Sequence, residues 1–267
     1  MASTFTVAAL NVYPVKSCRG IPLGAATLDR WGLQHDRNWM VVDSEGRFVS
    51  QRTQPRLALV APTLGSERLT LRAPEMPPLE LPVTGRAGPE KTVSVWDDTC
   101  RALDQGDAAA DWFAQYLGLP HRLVRIGAAF ERSVAEASYP HGADVAFADG
   151  FPLLVLSGAS LRALNARLLE PVPMNRFRPN LVVEGCPEFA EDGWKQIRVG
   201  QVTFQVLSAC QRCAITTVDQ ATGATGKEPL ATLATFRRSG DAVIFGRNMV
   251  HQGVGTLRVG DVVEVLA

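Results

Sequence analysis

Short runs rich in Val, Thr and Leu, separated by Gly, Pro and Asp, recur along most of this chain, and that rhythm limits the fold more than any other feature. Arg68–Leu71, Lys91–Trp96, Val202–Leu207 and Val262–Leu266 each have the β-branched, alternating character of a strand. Asp43-Ser44-Glu45-Gly46, between Trp39–Val42 and Arg47–Ser50, reads as a hairpin turn. Helical periodicity is scarcer. Asp107–Leu117 sets Ala110, Phe113, Ala114 and Leu117 on one face and meets Gly118 as a stop. Ser157–Leu169 opens on a serine and carries Leu161, Leu164 and Leu168, and Leu230–Arg237 is a weaker third candidate. Many short strands with few helices predict a mainly β, α+β protein: β-barrels decorated by helices, not a parallel α/β sheet.

At 267 residues the chain has room for one large domain or two small ones. A boundary after the first helix, near residue 120, gives units 1–120 and 121–267. Gly127–Asp144 has the least pattern and reads as a linker or an active-site loop. Lys+Arg and Asp+Glu both number 27, so net charge recruits neither a nucleic acid polymer nor an anionic membrane. Any anion must be held by a local cluster. The first residues lack a secretory pattern, and no apolar stretch is long enough to span a bilayer. Five cysteines form an odd, sparse set, which argues for a reducing compartment, and the cytoplasm is the expected location.

The sharpest local feature is Ala209-Cys210-Gln211-Arg212-Cys213, followed by Ala214-Ile215-Thr216-Thr217. Three readings compete. A thioredoxin-like pair needs its second cysteine in a helix, which the β-branched residues disfavour. A structural zinc site needs two more ligands, with Cys186 and His251 the candidates. The third reading is one reactive or metal-binding thiolate, Cys213, favoured by the charge of Arg212, with Cys210 a small buried apolar residue. In Asn175-Arg176-Phe177-Arg178-Pro179-Asn180, the proline pushes Arg178 out of helical geometry at a strand entrance. There its planar fork suits an oxyanion, or a plain surface ion pair. Lys16, Ser17 and Arg37 sit in glycine-punctuated segments; they could anchor a phosphate, though from spacing alone they read as surface residues. Asp149-Gly150-Phe151-Pro152 reads as a site-closing turn or a plain one, and the tryptophans as core or rim.

Taken in order, YPVKSCRG, GLQHDRNWMVVD, FRPNLVVEG, FAEDGW, ACQRCAITTVDQATG, KEPLATLATFRR and VGTLRVGDVVEVL resemble the MOSC proteins. The likeness covers nearly the whole chain and is strongest to the branch with an N-terminal MOSC β-barrel, which includes the mitochondrial amidoxime-reducing component and its bacterial relatives. The resemblance implies a molybdenum ion on one pterin dithiolene (Mo-molybdopterin), ligated by Cys213, in a cleft between two firmly docked barrel domains. It places Lys16, Arg37 and Arg178 on the pterin phosphate. Ser17, Asn180, Gln211, Arg212 and Asn248 then line the cofactor, Asp149 is an acidic catalytic position, and Cys186 is a recurring cysteine that is not a ligand. The implied activity is reduction of small N-hydroxylated substrates such as amidoximes, hydroxylamines and N-hydroxylated bases, with a cofactor carrier or sulfur-transfer protein as the alternative. No iron–sulfur, flavin or nicotinamide motif is present, so electrons are expected from a separate ferredoxin, flavodoxin or cytochrome with its reductase. The sequence departs from the animal enzymes at Asn248, where they carry tyrosine, and at Gly150-Phe151, where they carry small hydroxyl residues. No membrane-anchoring leader like that of the mitochondrial relatives is expected.

Overall fold

The alternating runs become strands in a computed structural model that describes residues 4–84, 88–134 and 142–267. Seven strands close into a barrel. In ring order they are Phe5–Val12, Val262–Val265, Gln196–Val199, Val202–Gln211, Ala242–Gln252, Leu153–Ser157 and Leu181–Glu184, which returns to Phe5–Val12. Leu10 faces Leu181 and Thr6 faces Val262, so the N-terminal strand is the stave that completes the ring. All neighbours are antiparallel except Leu153–Ser157 beside Leu181–Glu184. A parallel pair needs a crossover, and the helix Gly158–Asn165 lies in it. Val7, Leu10, Val155, Val183, Ile197, Phe204 and Met249 fill the interior.

Among the described residues three smaller sheets accompany the barrel: Thr256–Arg258 pairs with Ala25–Asp29, which pairs with Gly32–Leu33, and two more come largely from the first half of the chain. One runs Trp39–Val42, Arg122–Arg125, Asp98–Asp104, Glu90–Val95, and the other joins Ala61–Leu64, Arg68–Arg72 and Leu79–Pro82. The helix Asp107–Leu117 buries Trp112, Phe113 and Tyr116 against Leu57, Leu69 and Leu71. Strands from both sides of residue 120 pair in the barrel and in the four-stranded sheet. The expected mainly β fold with few helices is what the chain adopts.

Local chemistry sets the element ends. Gly118 stops its helix with φ 78, a left-handed conformation that costs glycine little. The Ser157 hydroxyl caps Gly158–Asn165 by accepting from the Ser160 amide at 3.0 Å. That helix ends before the expected Leu169. The Asn165 side chain instead bonds both backbone groups of Val172, at 3.0 Å each, and so draws the chain away from helix. The turn at Asp43–Gly46 forms, but Arg47–Ser50 makes only isolated bridges and no regular strand. The strand expected over Lys91–Trp96 ends at Val95, and Trp96 enters the turn. Part of the low-pattern stretch, 135–141, lies outside the described residues.

Candidate functional site

Bulges at one end of the barrel create the site. Burial alternates along Val202–Val206, then the register against Ala242–Gln252 slips at Val206/Ala209 and again at Ala209/Gln211. Such slips re-aim side chains. Cys210, expected as a buried apolar residue, is therefore half-buried and lines a cleft with Gln211, Arg212 and Cys213. On the facing strand Gly246 has φ 80, and a side chain there would meet the Val155 carbonyl oxygen at 2.9 Å. Beyond Cys213 the chain enters a 3-10 turn, Ala214–Thr217, in which the Thr216 and Thr217 hydroxyls donate to the carbonyls of Cys213 and Ala214.

The cleft holds about 480 Å³ and gathers all ten residues singled out in the sequence: Lys16, Ser17, Arg37, Asp149, Arg178, Asn180, Gln211, Arg212, Cys213 and Asn248. Their settings differ. Arg178 donates to the Cys18 carbonyl at 2.7 Å and Arg212 to those of Phe245 and Phe177 at 2.8 and 3.2 Å. Each still has a buried Nη2 with no partner among the described residues. Burial, then repulsion from Arg37, pulls the Arg178 pKa down to about 10. Arg37 and Arg178 both stack at 4.3 Å on Tyr13. Arg37 is also paired with buried Asp36 and donates to Asn180 at 3.2 Å. Asn180 is a bracket, bonding Asn11 and Leu154 as well. Asn248 donates to Ser208 at 3.2 Å, and Gln211 is exposed.

Buried Lys16 donates to the Phe147 carbonyl at 2.7 Å and to Asp149 at 2.5 Å. Burial lowers the Lys16 pKa while Asp149 opposes the shift. For Asp149, desolvation pulls upward, but Lys16, Arg52 and a Trp96 hydrogen bond together hold the carboxyl well below the usual range. Arg132 binds the carbonyls of Ala146, Ala148 and Asp149, so two cations fix four consecutive carbonyls of this segment.

Ser17, Arg37 and Arg178 all hold left-handed backbone, with φ of 68, 51 and 56. Each such residue costs about 1–3 kcal/mol, and such strain concentrates where function demands it. Sequence reasoning missed Arg52, which donates to the Cys213 sulfur at 3.1 Å, and Arg176, which lines the same cleft. It also missed the buried amide pair Gln51–Gln220, which bonds at 2.9 and 3.1 Å and ties to the Ser17 carbonyl at 2.6 Å. Polar residues in a loop carry no signal of a partner far along the chain.

The competing cysteine readings fare differently. Cys210 lies in a strand and Cys213 precedes a 3-10 turn, not the helix of a thioredoxin-like pair. Among the described residues no three His, Cys, Asp or Glu side chains gather around a metal position. Cys186 is packed in the barrel core, and His251 bonds the Gly253 carbonyl.

Residues 4–120 match the family described as the MOSC N-terminal beta barrel domain, and residues 142–264 match the MOSC domain. The chain is 37% identical to the mitochondrial amidoxime-reducing component 1 of Homo sapiens, over 98% of this chain and 83% of that protein. It is 35% identical to the mitochondrial amidoxime reducing component 2 of Homo sapiens, over 96% and 82%. Against the component 1 of Danio rerio the identity is 33%, over 96% and 83%. All three are named as mitochondrial, which overturns the cytoplasmic expectation. That expectation rested on composition and cysteine count, and a segment that directs a protein to a compartment need not share the core's composition. Among the described residues, no helix is long and apolar enough to cross a membrane.

Proposed function

The chain belongs to the MOSC family in the form with an N-terminal MOSC beta barrel domain, and from that premise we propose that its cleft holds a molybdenum-pterin cofactor and reduces N-hydroxylated compounds. The observation that carries this reading is the pairing of Cys213 with a cationic wall whose buried N–H groups have spare capacity. The donor set fits the group. A soft thiolate suits the metal, and the unpartnered Nη2 atoms of Arg178 and Arg212, with Arg37, suit a phosphate dianion. When bound, the cofactor supplies the two-electron chemistry that strips an oxygen atom from nitrogen.

The residues of the chain do the rest. Arg52 donates to the Cys213 sulfur and fixes its direction. Lys16 spends two of its three N–H groups on Asp149 and Phe147, leaving one for the phosphate. Asp149 stays ionised near neutral pH, so it accepts a hydrogen bond from the N–H of an amidoxime and is not the proton donor. Reduction of the N–OH group takes up two electrons and two protons and releases water, with the protons drawn from solvent at the half-exposed side of Asp149. The five cysteines show no iron–sulfur spacing, which supports an external protein as electron donor.

The test is turnover of benzamidoxime by the purified protein. Dithionite-reduced viologen dye is expected to drive it and NADH alone is not. Sustained NADH-driven turnover would contradict the external donor, and no turnover with the dye would contradict the activity.

A further inference from the structure

Trp96 stands where a hairpin least tolerates it. The strands Glu90–Val95 and Asp98–Asp104 pair through Val95 and Asp98, so Trp96 and Asp97 form a two-residue connection. Trp96 takes the first central position with φ 56, where such turns favour glycine. A large ring held in left-handed backbone is an outlier that the surroundings must impose. They do so from the cleft side. The indole Nε1 donates to Asp149 at 3.2 Å, and the Arg52 guanidinium lies 4.7 Å over the ring. The Phe48 ring meets it edge-on at 5.0 Å. Both Asp149 and Arg52 line the cleft, and Arg52 also reaches the Cys213 sulfur. One guanidinium thus touches both the indole and the Cys213 sulfur. Trp96 does not line the cleft itself, but it touches Asp149 and Arg52, which do, and remains 49% exposed, which leaves ring surface open beside the cleft.

We propose that Trp96 is a specificity platform: its exposed ring surface stacks on flat, conjugated N-hydroxylated substrates, such as aryl amidoximes and N-hydroxylated heteroaromatic bases, while Asp149 takes their N–H. This rests on the reading of the cleft as a reductase site. Aromatic faces stack on any planar π-system and gain little from a methyl group. The platform therefore separates aromatic from aliphatic substrates that share one reacting group.

Benzamidoxime and acetamidoxime form that pair, assayed with dithionite-reduced viologen. Trp96→Asn suits the turn and keeps the fold, which an unchanged melting profile verifies. It is expected to lower the ratio of kcat/KM for benzamidoxime over acetamidoxime about tenfold, chiefly through the benzamidoxime KM. Loss of the indole N–H touches both substrates alike and cancels in the ratio. Trp96→Phe keeps a ring and is expected to restore most of the ratio. A ratio unmoved by Trp96→Asn, or unrestored by Trp96→Phe, overturns the proposal. Calorimetric binding of benzamidine and acetamidine needs no turnover and separates the two claims. If the wild-type protein reduces neither amidoxime, the reductase reading fails, yet a benzamidine preference lost in Trp96→Asn still supports the platform. Equal benzamidine affinity in the two proteins overturns it.

Discussion

Cys213 and Arg52 meet at 3.1 Å across 161 residues of sequence, and the contrast between them shows what residues reveal on their own. Cys213 stands out in the sequence because two cysteines around Gln211-Arg212 make a distinctive short motif, although its role as a metal ligand comes from the family resemblance alone. Arg52 does not stand out, since QRTQP is one basic loop among several and its meaning lies in a distant partner. Arg178 falls between: Pro179 marked its backbone as unusual, and the structure adds the left-handed φ and the unpartnered Nη2. A charge-assisted bond from such a group contributes about 1.5–3 kcal/mol. Arg178→Ala is therefore expected to yield folded protein that retains several-fold less pterin and molybdenum, read by metal analysis and pterin fluorescence. Cys210→Ala, which removes a sulfur held in its thiol form by burial, is expected to keep most of both. Unchanged occupancy in Arg178→Ala would place the phosphate elsewhere.

At the scale of elements, periodicity and caps were read well where one local rule decided the outcome. Helix Asp107–Leu117 with its Gly118 stop is such a case. Ends decided by side chains were misread, as at Asn165 and Trp96. Asp104 shows how one carboxylate joins elements: it closes the strand Asp98–Asp104, accepts from the Gly106 amide at 2.8 Å ahead of the helix, and pairs with Arg122. Burial alone would raise its pKa, but Arg122 and the Gly106 amide lower it below the ordinary value. A depressed carboxylate stabilises the fold fully above its unfolded pKa, about 4, and loses that contribution as pH falls through the lower folded value. Asp104→Asn is expected to cost about 1–3 kcal/mol at pH 7 and to show a shallower loss of Tm below about pH 4. Thermal melts from neutral to acid pH check this; parallel curves for the two proteins would rule it out.

At the scale of the molecule, the sequence announced barrels and strands but not who closes the ring. Phe5–Val12 pairs with Leu181–Glu184 on one side and Val262–Val265 on the other, contacts that no local pattern encodes. The division at residue 120 is accordingly a proposal about sequence units, and it makes a physical demand. A fragment of residues 121–267 lacks one stave and exposes two strand edges. It is expected to aggregate or to melt without cooperativity, and a monomeric fragment with a sharp transition would contradict the interlocked barrel. The same closure gives the cleft its two walls, with Lys16, Arg37 and Arg52 from one part of the chain and Arg178, Arg212 and Cys213 from the other. The central claim is that this cleft holds molybdenum through Cys213. Its most direct test is molybdenum content per chain, in wild type and Cys213→Ala purified side by side from molybdate-supplied cells. About one molybdenum per wild-type chain, with the metal and benzamidoxime turnover lost in Cys213→Ala, is the expected result. Full molybdenum content and turnover in Cys213→Ala would contradict the account.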